Sequence, residues 1–257
     1  MVKEIYLDNA PCTLQIVIQT RAKEKLWIKV ANADKKNTYY TKRYARFKGV
    51  QSFFVRMPQA PNRAYIVIYN DKDKNPRQKD KSFKIRGINI LPLEDNASAI
   101  PKKSMAFIRF AQEFSQECGT LRASKKGVVY KSNNGKFRID YFDTIRSKSG
   151  GKEVKTPARI SQLTGRIEVS KKSFKGYSIP MRIAILLHEY SHFYVNKNPS
   201  SELQSDENGL KMYLSMGYPR IDAYNVFLNV FKNSSSSQNL QRYEQLDKMI
   251  KNWEYGK

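Results

Sequence analysis

Histidine and cysteine are scarce in this 257-residue chain, with two of each. Cys12 and Cys118 stand far apart with no C-x-x-C pairing, which argues against a disulfide scaffold and a thiolate zinc site and leaves two ordinary, reduced thiols. Long apolar runs are missing too: nothing approaches the roughly 20 residues that a membrane-spanning helix needs. The first ten residues, MVKEIYLDNA, lack the apolar core of a signal peptide. The expectation is a soluble protein made in the cytoplasm, with no membrane span.

Acidic residues are outnumbered two to one, 23 Asp+Glu against 47 Lys+Arg, for a net charge of +24. Isolated domains usually carry a net charge of only about 2 to 8 in magnitude. The excess is 11 over residues 1–100 (20 basic, 9 acidic), 12 over 101–180 (18 and 6) and 1 over 181–257 (9 and 8). Such an imbalance over the first 180 residues points to an acidic partner: nucleic acid contacted without sequence preference, an acidic protein surface or a membrane face. No helix-turn-helix, RRM or zinc-finger pattern accompanies it.

What is present is enough apolar and aromatic material, 40% and 12% of residues, to fill real cores. The expected class is α+β in two domains. Residues 1–95 read as a basic, all-β domain, sandwich-like or barrel-like, from six short alternating segments: CTLQIVIQT, LWIKVAN, NTYYTKRY, VQSFFVRM, AYIVIYN and FKIRGINIL. Polar turns such as NDKDKNPRQKD separate them. Residues 96–257 form the second domain, after a linker over 93–103. Its first helix is SMAFIRFAQEFSQECG, with Ser104 as N-cap and Gly119 as stop. A hairpin turning at NNG follows in GVVYKSNNGKFRIDYF, then a strand in GRIEVSKKSF. Helices over 180–196, 201–216, 219–232 and 237–254 complete a C-terminal helical bundle, with NSSSSQN as a short connector.

Both histidines fall in one stretch, ILLHEYSHFY. His188-Glu189-Tyr190-Ser191-His192 fits H-E-x-x-H. On a helix, positions i and i+4 lie one turn apart on one face, so both imidazoles can reach one metal ion while the glutamate projects beside it. Zinc suits neutral imidazole, and a catalytic site keeps one position for water. Glu189 would then serve as general base for hydrolysis of a peptide bond. The apolar flank IAILL buries this helix and makes it rigid, as ligand positioning requires.

A third ligand comes from NKNPSSELQSDENGLKMY. Asn198, Pro199 and Ser200 break the first helix, and Ser201 with Gln204 resembles a capping box opening the next. Glu202 and Asp206 are then i and i+4 on a helix that must fold back antiparallel, toward the histidines. Glu202, Asp206 and Glu207 are the candidates. Acidic residues in a first helical turn also complement the helix dipole with no metal involved.

HEYSH followed by Glu202-Leu203-Gln204-Ser205-Asp206 is similar to the gluzincin metallopeptidases, in which H-E-x-x-H precedes E-x-x-x-D on a second helix. The resemblance covers residues 100–220. It implies one Zn2+ held by His188, His192 and Glu202, Glu189 as catalytic base, Asp206 hydrogen-bonded to a ligand histidine, and a peptide or protein substrate. The spacing departs from the pattern: nine residues separate His192 from Glu202, fewer than in most gluzincins. Zincins also align substrate along a strand, here GRIEVSKKSF or KFRIDYF, and use a donor for the oxyanion. With no third histidine, Tyr213 and Tyr218 are the candidate donors.

The pairing of a basic β-domain with a zincin, together with the compact HEYSHF...E...D..GL...L..GYP pattern, resembles proteins of tailed bacteriophages, including the crAss-like phages. That resemblance implies a virion part, ring or tail-associated, built among other protein subunits. In that setting the zincin domain either cleaves peptide or serves as a structural protein, and the basic face meets DNA or acidic subunits.

Overall fold

The computed structural model describes residues 1–70, 82–147, 151–231 and 237–255, with backbone alone over 227–231. The turn expected over 71–80 and the connector residues 233–236 lie outside the described residues. The chain is α+β and divides into two compact units, Met1–Glu94 and Asp95–Lys257.

The first unit contains β1 (Val2–Tyr6), β2 (Cys12–Asn32), β3 (Tyr39–Met57), β4 (Arg63–Asn70) and β5 (Phe83–Pro92). Four of the six segments expected from alternation are halves of two long strands. The polar run Arg21-Ala22-Lys23 interrupts the alternation of β2, and the structure absorbs it as a bulge between the pairs Thr20↔Gly49 and Glu24↔Phe47. Three residues there face one, Lys48, so the surplus is two and the side-chain parity survives. Leu14, Ile16 and Ile18 before the bulge and Leu26, Ile28 and Val30 after it are therefore all fully buried on one face.

That face is buried because the sheet doubles over at the bulge. Arg43 donates to the Phe54 carbonyl at 3.0 Å and lies 4.6 Å over the Phe53 ring. A straight strand would hold residues 43 and 54 about 36 Å apart. β5 pairs with the first half of β2, and β4 followed by β1 with the second half, all antiparallel. The unit is thus one five-stranded sheet folded on its own apolar face, where the sequence suggested six separate strands.

The second unit opens with α1 (Met105–Glu117). Ser104 does not cap it: a 3₁₀ turn over Lys102–Ser104 precedes the helix, Ser104 is itself helical and its side chain makes no cap bond. Its buried hydroxyl instead accepts from the Tyr190 hydroxyl at 3.4 Å. β6 (Val128–Lys131) and β7 (Arg138–Phe142) form the hairpin through Asn134 and Gly135. β8 (Ala158–Ile160) and β9 (Ile167–Ser170) follow, in a sheet ordered β6-β7-β9-β8. The β7–β9 pair is parallel and the other two pairs are antiparallel. A single turn α2 (Lys171–Phe174) leads to α3 (Ile179–Tyr194), α4 (Glu202–Ser215), α5 (Arg220–Phe231) and α6 (Ser237–Asn252).

α3 is the centre of this unit. Ser178 caps it, its hydroxyl accepting from the Met181 amide, and Pro180 occupies the first turn, where no backbone donor is missed. Ile183, Leu186 and Leu187 are fully buried, each contributing about 1.5–3 kcal/mol through apolar burial. Arg182, equally buried, donates to the carbonyls of Phe174 (2.9 Å) and Ser115 (2.7 Å). Its positive charge thus sits at the carbonyl end of α1, which the helix dipole favours, and fixes α3 against both neighbours.

Candidate metal centre

The site grows from the junction of α3 and α4. The turn between them, 195–201, is short because Ser201 caps α4 through the Gln204 amide at 3.2 Å. The box is only half formed: the Gln204 side-chain oxygen accepts from the Asn198 amide instead of from Ser201. Asn196 ties the turn to α4, donating to the Ser205 hydroxyl at 2.7 Å. So short a turn forces the helices antiparallel and in contact. At the crossing, a Cβ added to Gly209 would sit 2.9 Å from the His188 nitrogen and 3.0 Å from its Cα.

This approach carries Glu202 to the two histidines. His188 Nε2 and His192 Nε2 are 3.2 Å apart. Glu202 Oε2 lies 3.4 Å from the first and Glu202 Oε1 3.6 Å from the second. A tetrahedral zinc with bonds of about 2.0–2.1 Å has ligand–ligand edges of about 3.3–3.4 Å. Two imidazole nitrogens and a carboxylate whose two oxygens each face one ring form a group that could hold one metal ion. The Glu202 side chain remains 53% exposed, so the cluster is open on one side.

The far nitrogen of each ring faces an oxygen, and Nε2 faces the cluster. His192 Nδ1 faces the Pro199 carbonyl, 2.7 Å away in the turn. Beside His188 Nδ1, at 2.9 Å, lies Asp206 Oδ1, close enough to pair although off the line of a straight hydrogen bond. Asp206 is fully buried. Its carboxylate is gripped by Arg242 of α6, through Nε to Oδ2 at 2.6 Å and Nη2 to Oδ1 at 3.1 Å. Arg242 also reaches Glu202 Oε2 at 3.0 Å. One guanidinium therefore orients both Glu202 and Asp206. No local signal points to it, since Arg242 is 36 residues from Asp206 on a helix with no motif.

Glu189 lines the same cavity, of about 300 Å³, with His188 and His192 on one wall and residues 156–160 on another. Its carboxylate accepts a hydrogen bond from the Ile160 amide. β8, which supplies that amide, is the edge of its sheet. The bonds Ser161 N to Arg166 O and Ser170 N to Pro157 O fix which residues pair with β9. The backbone groups of Ala158 and Ile160 consequently point away from β9. The strand beside the cavity is thus β8, and neither β9 nor β7, both interior to the sheet, takes that place. Three residues are too few to show alternation in the sequence.

In the metal-free site, burial pushes the Glu189 carboxyl up to about 7. Burial opposes charging of His188, but Asp206 and Glu202 outweigh it and raise the imidazole to about 10. Glu202, held by His188 against the opposing effect of burial, falls to about 2. His192 is lowered by burial and by its charged neighbour His188. Without metal, the positive charge of the cluster is therefore carried by His188.

Of the other residues singled out, Glu207 does not line the cavity. Tyr213 and Tyr218 are buried and stacked on each other at 5.1 Å. Tyr213 donates to the Pro219 carbonyl at 2.8 Å and the Tyr218 hydroxyl accepts from Gln112 at 3.3 Å. Neither lines the cavity, so neither is an oxyanion donor there; they pack the α4–α5 corner. The charged donors on the cavity wall are Arg159 and Arg242.

Among the described residues no helix is long and apolar enough to cross a membrane. Comparison of the chain with known protein families, with characterised proteins and with solved structures finds no match in any of the three.

Proposed function

We propose that the chain is a zinc-dependent metallopeptidase. The observation that carries this reading is the cluster of His188, His192 and Glu202, in which the two Nε2 atoms are 3.2 Å apart and each faces a different oxygen of the one carboxylate, at 3.4 and 3.6 Å, beside the half-buried Glu189 and an edge strand. Bound at these three residues, zinc would supply a water of lowered pKa and an electrophile for a carbonyl oxygen. The protein's own groups supply the rest. Glu189, on the cavity wall beside the cluster, is placed to take a proton from water and return it to an amide nitrogen. Along β8 the Ile160 amide is taken by Glu189 and the Ala158 carbonyl accepts from the Thr156 hydroxyl, so an extended peptide would pair with the outward Ala158 amide and Ile160 carbonyl. Arg159, on the cavity wall, is the nearest cation to an oxyanion there, although its Nε and Nη2 are already bonded to Glu168 and the Arg146 carbonyl. Asp206 and Arg242 hold the ligands in place.

The test is cleavage of a quenched-fluorescence peptide library by zinc-loaded protein, compared with Glu189→Gln. Retention of zinc with a fall in cleavage of about 10²–10⁴-fold is the expected result. Zinc-loaded wild type that cleaves no faster than the variant would make the centre structural.

A further inference from the structure

On the second half of the first unit's sheet, the face opposite the buried one presents rings and cations in alternating rows. Trp27 pairs across the strands with Tyr44 on one side and Tyr69 on the other. Two residues along, Lys29 stands opposite Lys42. In the next row Ala31 lies between Tyr39 and Tyr65, and on the other side of the Trp27 row Lys25 stands opposite Arg46. Trp27 is 3.5 Å from Tyr44 and 6.3 Å from Tyr69 between ring centroids. The lysines lean onto the rings: Lys25 lies 4.3 Å over Tyr44, Lys29 4.9 Å over Tyr69 and Lys42 5.5 Å over Tyr39.

Two features of this face cost stability. Like charges directly opposite on neighbouring strands repel, and both cationic rows are built that way. Tyr44 is also left 39% exposed. Of the described residues in these four rows the acid is Glu4, at the β1 edge beside Tyr65. A sheet that breaks local rules in a repeated pattern is shaped for a partner. An acidic protein or a lipid surface could also use rings and cations, but nothing in either requires a ring row to alternate strictly with cationic rows, as a chain of flat bases joined by phosphates does. A nucleic acid duplex would likewise meet the cations while hiding its base faces. A single strand offers both bases to stack and phosphates to pair.

We infer that the outer face of β2, β3 and β4, centred on Trp27, Tyr44 and Tyr69 and flanked by Lys25, Lys29, Lys42 and Arg46, binds single-stranded nucleic acid. It does so independently of the metal centre. Sequence preference is weak, because every base has a stacking face. Four phosphate contacts give a slope of log affinity against log salt of about −3.

The chain has two tryptophans, Trp27 and Trp253, so the variant Trp253→Phe makes Trp27 the sole reporter. Titration of this full-length variant with oligothymidylate of about 20 nucleotides should quench its emission. In anisotropy measurements with the labelled strand, Tyr44→Ala should weaken binding at least about tenfold, and Lys29→Glu with Lys42→Glu should weaken it and flatten the salt slope. Heparin, a polyanion without bases, should compete poorly. Absence of binding, binding without quenching of Trp27, or equal affinity for heparin, acidic peptide or duplex would each overturn the proposal. The quenching measurement needs no substitution on the face, so it stands even if Tyr44→Ala fails to fold.

Discussion

The backbone of α4 at Gly209 touches the backbone of α3 at His188 so closely that a single added Cβ would meet His188 N at 2.9 Å. Seven residues earlier on α4, Glu202 contacts the imidazole of that same histidine. The glycine therefore sets the distance between the third candidate ligand and the first.

Gly209→Ala separates two effects. In an ordinary helix interior alanine is favoured by about 0.5–1 kcal/mol. Here the contact is with backbone, which cannot turn aside, so α4 must move away from α3. The variant should lose stability despite its better helix propensity, and zinc affinity should fall at least about tenfold by chelator competition. A more stable variant with unchanged affinity would show that the contact does not govern the site.

Arg242 stands between two carboxylates, one of them fully buried. Removing one partner of a buried pair leaves an uncompensated charge and costs about 3–5 kcal/mol. Arg242→Met should destabilise by that order in urea titrations and reduce zinc affinity about 10–100-fold, as loss of ligand-orienting partners does. Adding Asp206→Asn removes the orphaned charge and should recover much of the stability without restoring the affinity. Full affinity in Arg242→Met would mean that Asp206 and Glu202 hold their positions alone.

The pH dependence of stability should change sign with metal. In the metal-free protein His188 rises from 6.5 to about 10 and Glu189 from 4.5 to about 7. The folded state then binds these protons more tightly than the unfolded chain, so their stabilisation is complete at low pH and is lost as pH rises through about 7 and about 10. Glu202, lowered to about 2, acts oppositely: its contribution is present above about 4.5 and lost as pH falls toward 2. His192, lowered from 6.5, also acts oppositely and only below about pH 7. Metal-free protein should therefore weaken between about pH 7 and 9 in urea titrations, where the folded state still holds the His188 proton that the unfolded chain has lost. Zinc must displace the His188 proton, so zinc-loaded protein should strengthen over the same interval. Parallel slopes in the two states would contradict this picture of the site.

Local signals carried much of this into the sequence. Ser178 with Pro180, and Ser201 with Gln204, mark the starts of α3 and α4, and the i, i+4 spacing alone puts both imidazoles on one face. The antiparallel return of α4 followed from the brevity of the turn, and with it the approach of Glu202. What could not be read depends on distant or very short segments. β2 and β3 read as four strands because Arg21-Ala22-Lys23 breaks the alternation that the bulge preserves. β8 is too short for any period. Arg242 meets Asp206 only through the packing of α6. Tyr213 and Tyr218 look accessible as polar-tipped aromatics, but their hydroxyls are consumed by the Pro219 carbonyl and Gln112 inside the α4–α5 corner.

The central claim is that His188, His192 and Glu202 hold one zinc ion. Elemental analysis of protein purified without chelators, beside the variant His188→Ala, tests it most directly. The wild type should carry about one zinc per chain, the stoichiometry of a single three-ligand site, and the variant should lose most of it. Wild-type protein that carries no zinc and takes up none on addition, or a variant that retains the full amount, would contradict it.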